Sequence, residues 1–220
     1  MHDSAPEQQW PLLSLRLKVA DVTLQPVREA DLEHLSRILP DDVEHDPASE
    51  MLEGLDVEQN RRRILLQSYW RSWGCWSVEA WCIFFRVSVG ARVVGVQALE
   101  AKHFPILRTV DSSSWLVTDV RRRGIGTAMR LAVLTLAFDH LGAAAAITSA
   151  RQDNWASLGV SKHLGYEENG VSTSLSPSGP CTLQHMILRR SSWALSGRSQ
   201  SVTVSGISAC APWFGVDVAK

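Results

Sequence analysis

The stretch WLVTDVRRRGIGTAMR, residues 115–130, decides how the rest of the chain is read. An apolar run of strand character ends in it. Three consecutive arginines follow, then Gly124 and Gly126, and then a long apolar helix opens. A helix start presents four amides without intrahelical partners and the positive end of the macrodipole. Glycines let neighbouring amides converge on one anion, and arginines add forked hydrogen bonds to phosphate oxygens. All three features coincide at Arg121, Arg122, Arg123, Gly124, Ile125, Gly126 and Thr127. This loop is therefore expected to cradle a pyrophosphate-like anion.

Bulk properties limit what that ligand belongs to. The chain has 220 residues, 45% of them hydrophobic and 20% charged, which is the balance of a globular protein. Its formal net charge is −1, so no global field draws it to nucleic acid or to membranes. Cys75, Cys82, Cys181 and Cys210 form no CxxC pair, and no His/Cys spacing suggests a metal site. The N-terminus has neither a basic nor an apolar signal segment, and no apolar run is long enough to cross a bilayer. The expected setting is cytoplasmic, with free thiols.

Working outward, residues 14–19 and 22–27 alternate like edge strands, and Pro26 closes the second. The segment READLEHLSRIL spaces its leucines as a helix that Pro40 stops, and the acidic loop DDVEHDP follows. Residues 56–73 form a second helix, with Ile64, Leu65, Tyr69 and Trp73 on one face and Gly74 as its stop. Strands at 81–89 and 93–101 flank a turn at Gly90, and 111–117 is a further strand. The helix at 125–141 is apolar almost all round, so it is expected to be buried, with Gly142 capping it. A strand at 144–149 and a helix started by Asp153 or Asn154 and ended by Gly165 come next. Two more strands lie near 166–172 and 183–189. Residues 1–190 make the domain, and 191–220 an extension able to add one strand to the sheet or to pack on a partner copy. The class is α/β (α+β), with a mixed sheet. Strand 111–117, helix 125–141 and strand 144–149 form a βαβ unit that puts the arginine loop at a strand's carboxyl end, where open sheets collect ligands.

The ligand is not an ATP-type phosphate by motif, because GxxxxGK[ST] is absent. GxGxxG is absent too, since Met129 stands where the third glycine would be. What remains is R-x-x-G-x-G, Arg121 to Gly126, between a strand and a buried helix. Asn154, Ser157, Gly165 and Tyr166 supply a second pattern, N-x-x-[SA] with a downstream Gly-aromatic pair. Together they resemble the acyl-CoA signature of the GNAT family of N-acetyltransferases. The runs VGVQALEAKHFPILRTVDSSSWL, GIGTAMRLAVLTLAF and DNWASLGVSKHLGYEENG resemble its RimJ/RimL-like branch, in an actinobacterial subgroup. The resemblance covers nearly the whole chain. One departure stands at Ala128, where members often carry an acidic residue.

The resemblance implies a mostly antiparallel central sheet with a splayed parallel strand pair, and helices on both faces. It implies acetyl-CoA as co-substrate, with succinyl-CoA as a further donor, and a primary amine as acceptor: a protein N-terminus, a lysine or a small molecule. Pantetheine would enter between the strands at 111–117 and 144–149. Leu116 and Val117 would bond its amides, and a backbone N–H near Trp115 and Leu116 would polarise the thioester carbonyl. The amides from Arg122 to Thr127 would hold the pyrophosphate. Lysine, with a pKa near 10.4, needs a proper base, whereas an α-amine near 7.7 is neutral in about one molecule in six at pH 7. Asp111, four residues before Trp115 and so on its face of the strand, is one candidate base, and Glu100 another. Ser157 is the candidate contact for the leaving thiol, because Ser161 stands where relatives place a tyrosine. Asn154 both caps its helix and faces the cofactor. Tyr166 and the rings of Tyr69, Trp70, Trp73, Trp76 and Trp81 are core by default, some of them lining the acceptor side. No metal is expected. The alternative is a domain that binds acyl-CoA as a sensor and has lost the chemistry. The tail at 202–216 is a candidate contact between copies.

Overall fold

The computed structural model describes residues 8–46, 48–177 and 179–216. Its elements run β1 (Arg16–Val19), β2 (Val22–Pro26), α1 (Glu29–Arg37), α2 (Val57–Gly74), β3 (Ala80–Val89), β4 (Arg92–Lys102), β5 (Thr109–Asp111) and β6 (Ser114–Leu116). They continue with α3 (Ile125–Thr135), β7 (Ala145–Arg151), α4 (Trp155–His163), β8 (Glu167–Ser176), β9 (Gly179–Arg189), α5 (Arg190–Ser196) and β10 (Val202–Ser205). The strands join in one sheet, ordered β10-β1-β2-β3-β4-β5-β7-β9-β8, with β6 also on β4. The β5–β7 pair is parallel, and every other pair is antiparallel. No helix among the described residues is long and apolar enough to cross a membrane.

Local chemistry explains the ends of these elements. In α2 the Asp56 side chain accepts from the Gln59 amide at 2.7 Å, and Gln59 returns a bond to the Asp56 amide at 3.0 Å. In α1 the Arg28 amide donates to the Asp31 carboxylate at 2.8 Å. The β3–β4 hairpin turns at Gly90, whose φ of 58° suits a residue without a Cβ. The α-helical part of α3 ends at Thr135, and the chain runs on as a π turn over Leu136–His140. The predicted uniform helix over 125–141 is thus corrected in its last turn, which seats Phe138 against Trp193 of α5 at 5.2 Å between centroids.

Two apolar clusters lie on opposite faces of the sheet, as the alternation of β3 shows. Ile83, Phe85 and Val87 join the larger cluster with α3 residues Met129, Val133 and Leu136. Phe84 turns the other way and joins Tyr69 of α2, Leu32 and Leu35 of α1, and Val96. The helices α1 and α2 therefore cover one face and α3 the other.

Two strand expectations are corrected. β1 and β2 are interior strands, because β10 pairs with β1 from Arg16 opposite Ser205 to Val19 opposite Val202, and β2 lies between β1 and β3. Alternation reports one solvated face, which an interior antiparallel strand also has. The single strand expected at 111–117 is two strands separated by Ser112 and Ser113. The Asp111 carboxylate accepts from the Ser112 amide at 2.6 Å, so a local bond replaces a ladder bond there.

The packing of β6 on β4 depends on Gly95. A Cβ at that position would lie 2.2 Å from the Trp115 carbonyl oxygen and 2.9 Å from the Leu116 side chain. Gly95→Ala is expected to cost about 1–3 kcal/mol. Its thermal midpoint should fall by about 2–4 °C for each kcal/mol, as calorimetry would show.

Candidate active site

The site grows from the place where parallel pairing stops. β5 and β7 pair through Thr109–Ala145, Val110–Ala146 and Asp111–Ile147. One further link follows, as the Thr148 hydroxyl donates to the Ser112 carbonyl at 3.1 Å. Beyond it β6 stays on β4, whereas β7 follows β9 as far as Arg151. The two strands open into a V with Ser112 at its closed end. The Ala98 amide bonds the Ser113 carbonyl at 2.8 Å, and the Val117 amide bonds the Val94 carbonyl at 2.9 Å. Strand alternation therefore aims the backbone groups of Ser114 and Leu116 into the gap. The Val117 amide is thereby spent inside the sheet.

The mouth of the V is the arginine loop. Arg122 and Gly124 have φ of 62° and 80°, so two left-handed residues flank Arg123 and fold the backbone into a concavity. The first intrahelical bond runs from the Ala128 amide to the Gly124 carbonyl at 3.0 Å. The amides of Ile125, Gly126 and Thr127 precede it and have no helical partner. Gly126 faces Leu116 and Val160, where an added Cβ would come no closer than 3.7 Å. Its role here is space rather than an unusual φ.

The three arginines divide. The Arg121 side chain forks onto Asp42, with one arm at 2.8 Å, and its Nε donates to the Leu116 carbonyl at 2.9 Å. Arg121 is thus a strut between the acidic loop and β6, and its hydrogen bonds, helped by its charge, hold the Asp42 carboxyl below the usual range. Arg122 and Arg123 are exposed, with no ion pair among the described residues. On the other arm of the V, Arg151 pairs with Glu44 at 2.7 Å and with Asp153 at 2.6 Å. The loop carrying Asp42 and Glu44 therefore reaches both arms. The sequence reading missed this. Its only signal is an acidic run in a chain whose arginines sit far away in sequence.

On the face covered by α2, Asp111 and Glu100 line a cavity of about 550 Å³ with Trp81, Cys82, Phe84 and Leu107. A second cavity of about 340 Å³ includes Ser114, Trp115 and Tyr69, and Ser68, Arg71 and Phe84 border both. Burial pushes the Asp111 carboxyl up to about 6, and Glu100 adds to the rise. The Ser112 amide, Arg130 and His185 act against it. Burial also raises the Cys82 thiol, so it stays protonated. Of the two candidate bases, Glu100 is exposed and Asp111 is half-buried.

Across the V, the Asn154 side chain accepts from the Ser157 amide at 3.1 Å, which makes Asn154 the N-cap of α4. The Ser157 hydroxyl bonds no group among the described residues, so it is not spent on its own backbone. Ser161 is buried and donates to the Ser157 carbonyl at 3.2 Å. Ala128 packs against the larger apolar cluster. Tyr166 is buried, as are Tyr69 and Trp81, whereas Trp70 is exposed.

Residues 21–167 match the acetyltransferase (GNAT) domain family. Among solved structures, Mycobacterium smegmatis RimJ in complex with CoA-disulfide is 18% identical, at a TM-score of 0.67 over 87% of this chain and 94% of that one. RimL, a ribosomal-protein α-N-acetyltransferase in complex with coenzyme A, is 14% identical, at 0.62 over 79% and 97%. Vibrio cholerae spermidine N-acetyltransferase in complex with CoA and spermine is 12% identical, at 0.63 over 80% and 99%. At these identities the likeness is one of fold.

The shift of Asp111 has a consequence for stability. Its folded pKa lies above its unfolded value, so the native state holds a proton that the unfolded chain releases. That contribution is complete below about pH 4 and is lost as pH rises through 6, on the order of 2–3 kcal/mol. Asp111→Asn carries no such loss. Denaturant titrations at pH 4 and pH 7 should show the variant gaining on the parent as pH rises.

Proposed function

The chain belongs to the GNAT acetyltransferase family, and from that premise we propose that it moves an acetyl group from acetyl-CoA to a primary amine held beside Asp111. The observation that carries this reading is the V between β6 and β7. It has a concavity of unpaired amides at its mouth and a carboxylate of raised pKa at its closed end.

Each part has work to do. The amides of Ile125, Gly126 and Thr127 receive the pyrophosphate, and the Arg122 and Arg123 guanidiniums add charge. The backbone groups of Ser114 and Leu116 facing the gap bond the pantetheine, and an amide beside Trp115 polarises the thioester carbonyl. The amine approaches from the α2 face through the 550 Å³ cavity. Asp111 takes its proton. At pH 7 a carboxyl with a pKa near 6 is ionised about ten to one, so it accepts a proton without being trapped as acid. The amine attacks the carbonyl carbon, the carbon–sulfur bond breaks, and the Ser157 hydroxyl bonds the departing sulfur.

The cavity walls favour an acceptor with an apolar flank, since Phe84 and Leu107 line the cavity along with the carboxylates. A base of this strength suits an amine of pKa near 8, such as a protein N-terminus, better than a free lysine. Succinyl-CoA is a second donor reading, supported by Arg71, a cation that borders both cavities.

Thermal unfolding with CoA, acetyl-CoA, succinyl-CoA, ATP and NAD tests the cradle. A ligand at 100 times its dissociation constant adds about 2.7 kcal/mol, a rise of about 5–10 °C for a chain of this size. CoA species alone should give it, and a flat response to all of them would remove the reading. Binding without turnover against an amine panel would leave a sensor domain instead. Replacing Arg122 and Arg123 together by Ala should raise KM for acetyl-CoA about tenfold, with kcat little changed. Asp111→Asn should lower kcat/KM by about 10² or more, and the parent's rate should climb through pH 6.

A further inference from the structure

The acceptor cavity holds charges of both signs, and the acceptor chemistry above uses only the negative ones. Asp111 and Glu100 line it, and so do Arg71 of α2 and Lys102 of β4. The two carboxylates are neighbours, because Glu100 pairs with Asp111 across β4 and β5. Lys102 lies two residues beyond Glu100 on the same strand, and so on the same face. From above, α2 turns one stripe of its surface to the two cavities, with Arg61, Ile64, Ser68, Arg71 and Cys75 at helical spacing.

The two cations of the acceptor cavity are unspent. Elsewhere on α2, Arg61 pairs with Asp41 at 3.1 Å and Arg62 pairs with Glu58. The side chains of Arg71 and Lys102 have no ion-pair or hydrogen-bond partner among the described residues, although two carboxylates line the same cavity. The formal charges of these four groups cancel, but the charges stay apart. Along β4 alone, two residues or roughly 7 Å of strand separate Glu100 from Lys102. Phe84 and Leu107 supply apolar wall in the same cavity, and its volume of about 550 Å³ is that of a small-molecule site.

We propose that the acceptor is a small zwitterion, a primary amine joined by an apolar stem to a carboxylate that Arg71 and Lys102 receive. The inference rests on the acyl-transfer reading above and names the substrate class of that site. The amine goes to Asp111 and Glu100, the stem lies along Phe84 and Leu107, and the carboxylate reaches the two cations. A guanidinium takes a carboxylate through two parallel hydrogen bonds, which fixes the direction of the stem as well as its end. A diamine would bring a second cation to a cavity that already has two. A peptide N-terminus supplies the amine but no carboxylate of its own at that separation. Base strength ranks acceptors by their amine, whereas Arg71 and Lys102 rank them by what the amine carries. Acylation removes the ammonium and leaves the carboxylate, so the product loses its attraction to Asp111 and Glu100 and is released.

The test is kcat/KM at saturating acetyl-CoA for three amines of one shape: benzylamine, p-(aminomethyl)benzoate and p-xylylenediamine, with a short peptide beside them. The wild type should prefer the benzoate to benzylamine by about tenfold or more, mostly through KM. Arg71→Gln should bring that ratio to within about twofold of unity, and Lys102→Met should lower it in part. Arg71 is exposed, so its replacement leaves the fold standing, and a structural effect would lower both rates together without moving the ratio. A wild-type ratio near unity, a preference for the diamine or the peptide, or a ratio that Arg71→Gln leaves in place overturns the zwitterion and leaves acyl transfer standing. If Arg71 serves an acidic acyl group instead, Arg71→Gln shifts the preference between succinyl-CoA and acetyl-CoA and spares the acceptor ratio, which overturns it too. A wild type that binds acetyl-CoA and acylates nothing in this set or in a wider amine panel overturns both.

Discussion

Parallel pairing between β5 and β7 stops after Asp111 and Ile147, and the rest of the site depends on that stop. A sheet interior does not readily tolerate unpaired backbone, because each orphaned amide or carbonyl costs about as much as a lost hydrogen bond. Here the cost is contained from both sides. β4 holds β6 from Ser114 to Leu116, and β9 holds β7 as far as Arg151. Among the described residues, the inner edges of β6 and β7 do not pair with each other. An extended ligand with amides of its own fits such a gap as a missing strand would.

Charge is managed just as locally. The formal net charge of −1 conceals a basic loop and an acidic loop that meet in space. Asp42 and Glu44 take Arg121 and Arg151, one from each arm of the V. Surface pairs of this kind contribute little to stability one at a time. Their effect is geometric, because the loop between α1 and α2 becomes a strap across both arms. Neutralising Arg121 leaves Arg122 and Arg123 as the exposed cations beside the unpaired amides.

How much of this the sequence discloses follows from what patterns measure. The hairpin at 81–101 was legible because a glycine turn separates two alternating runs. The turn that opens α3 was legible because glycines and a helix start fall together there. Asn154 as a cap was legible from its place before an apolar helix. Periodicity reports faces and not neighbours, so β1 and β2 read as edges until β10 was seen beside them. The break at Ser112 was hidden, because serine neither interrupts alternation nor forbids a strand. The strut from Asp42 to Arg121 spans 79 positions, and no local rule connects residues that far apart. Arg130 is the sharpest case. Inside an apolar helix it reads as one tolerated charge, and only the structure shows it 4% exposed.

The acceptor side depends on one physical effect acting in opposite directions on two groups. Removing water from Asp111 raises its pKa, because the charged form loses hydration. The same walls, with Phe84 and Leu107, would desolvate an incoming ammonium and lower its pKa. In the reaction proposed above, the two values would converge as the amine enters, and transfer of its proton to Asp111 would become less uphill than in water. Each pKa unit of convergence is 1.36 kcal/mol off that step. Glu100 strengthens the effect, since a second carboxylate favours the protonated form of the first. The Ser112 amide, Arg130 and His185 limit it, so that Asp111 remains mostly ionised at neutral pH. A site built only of apolar walls would overshoot and leave the carboxyl protonated. A fully solvated carboxylate would be too weak a base. The half-buried position at the end of β5, beside the strand break, lies between these limits.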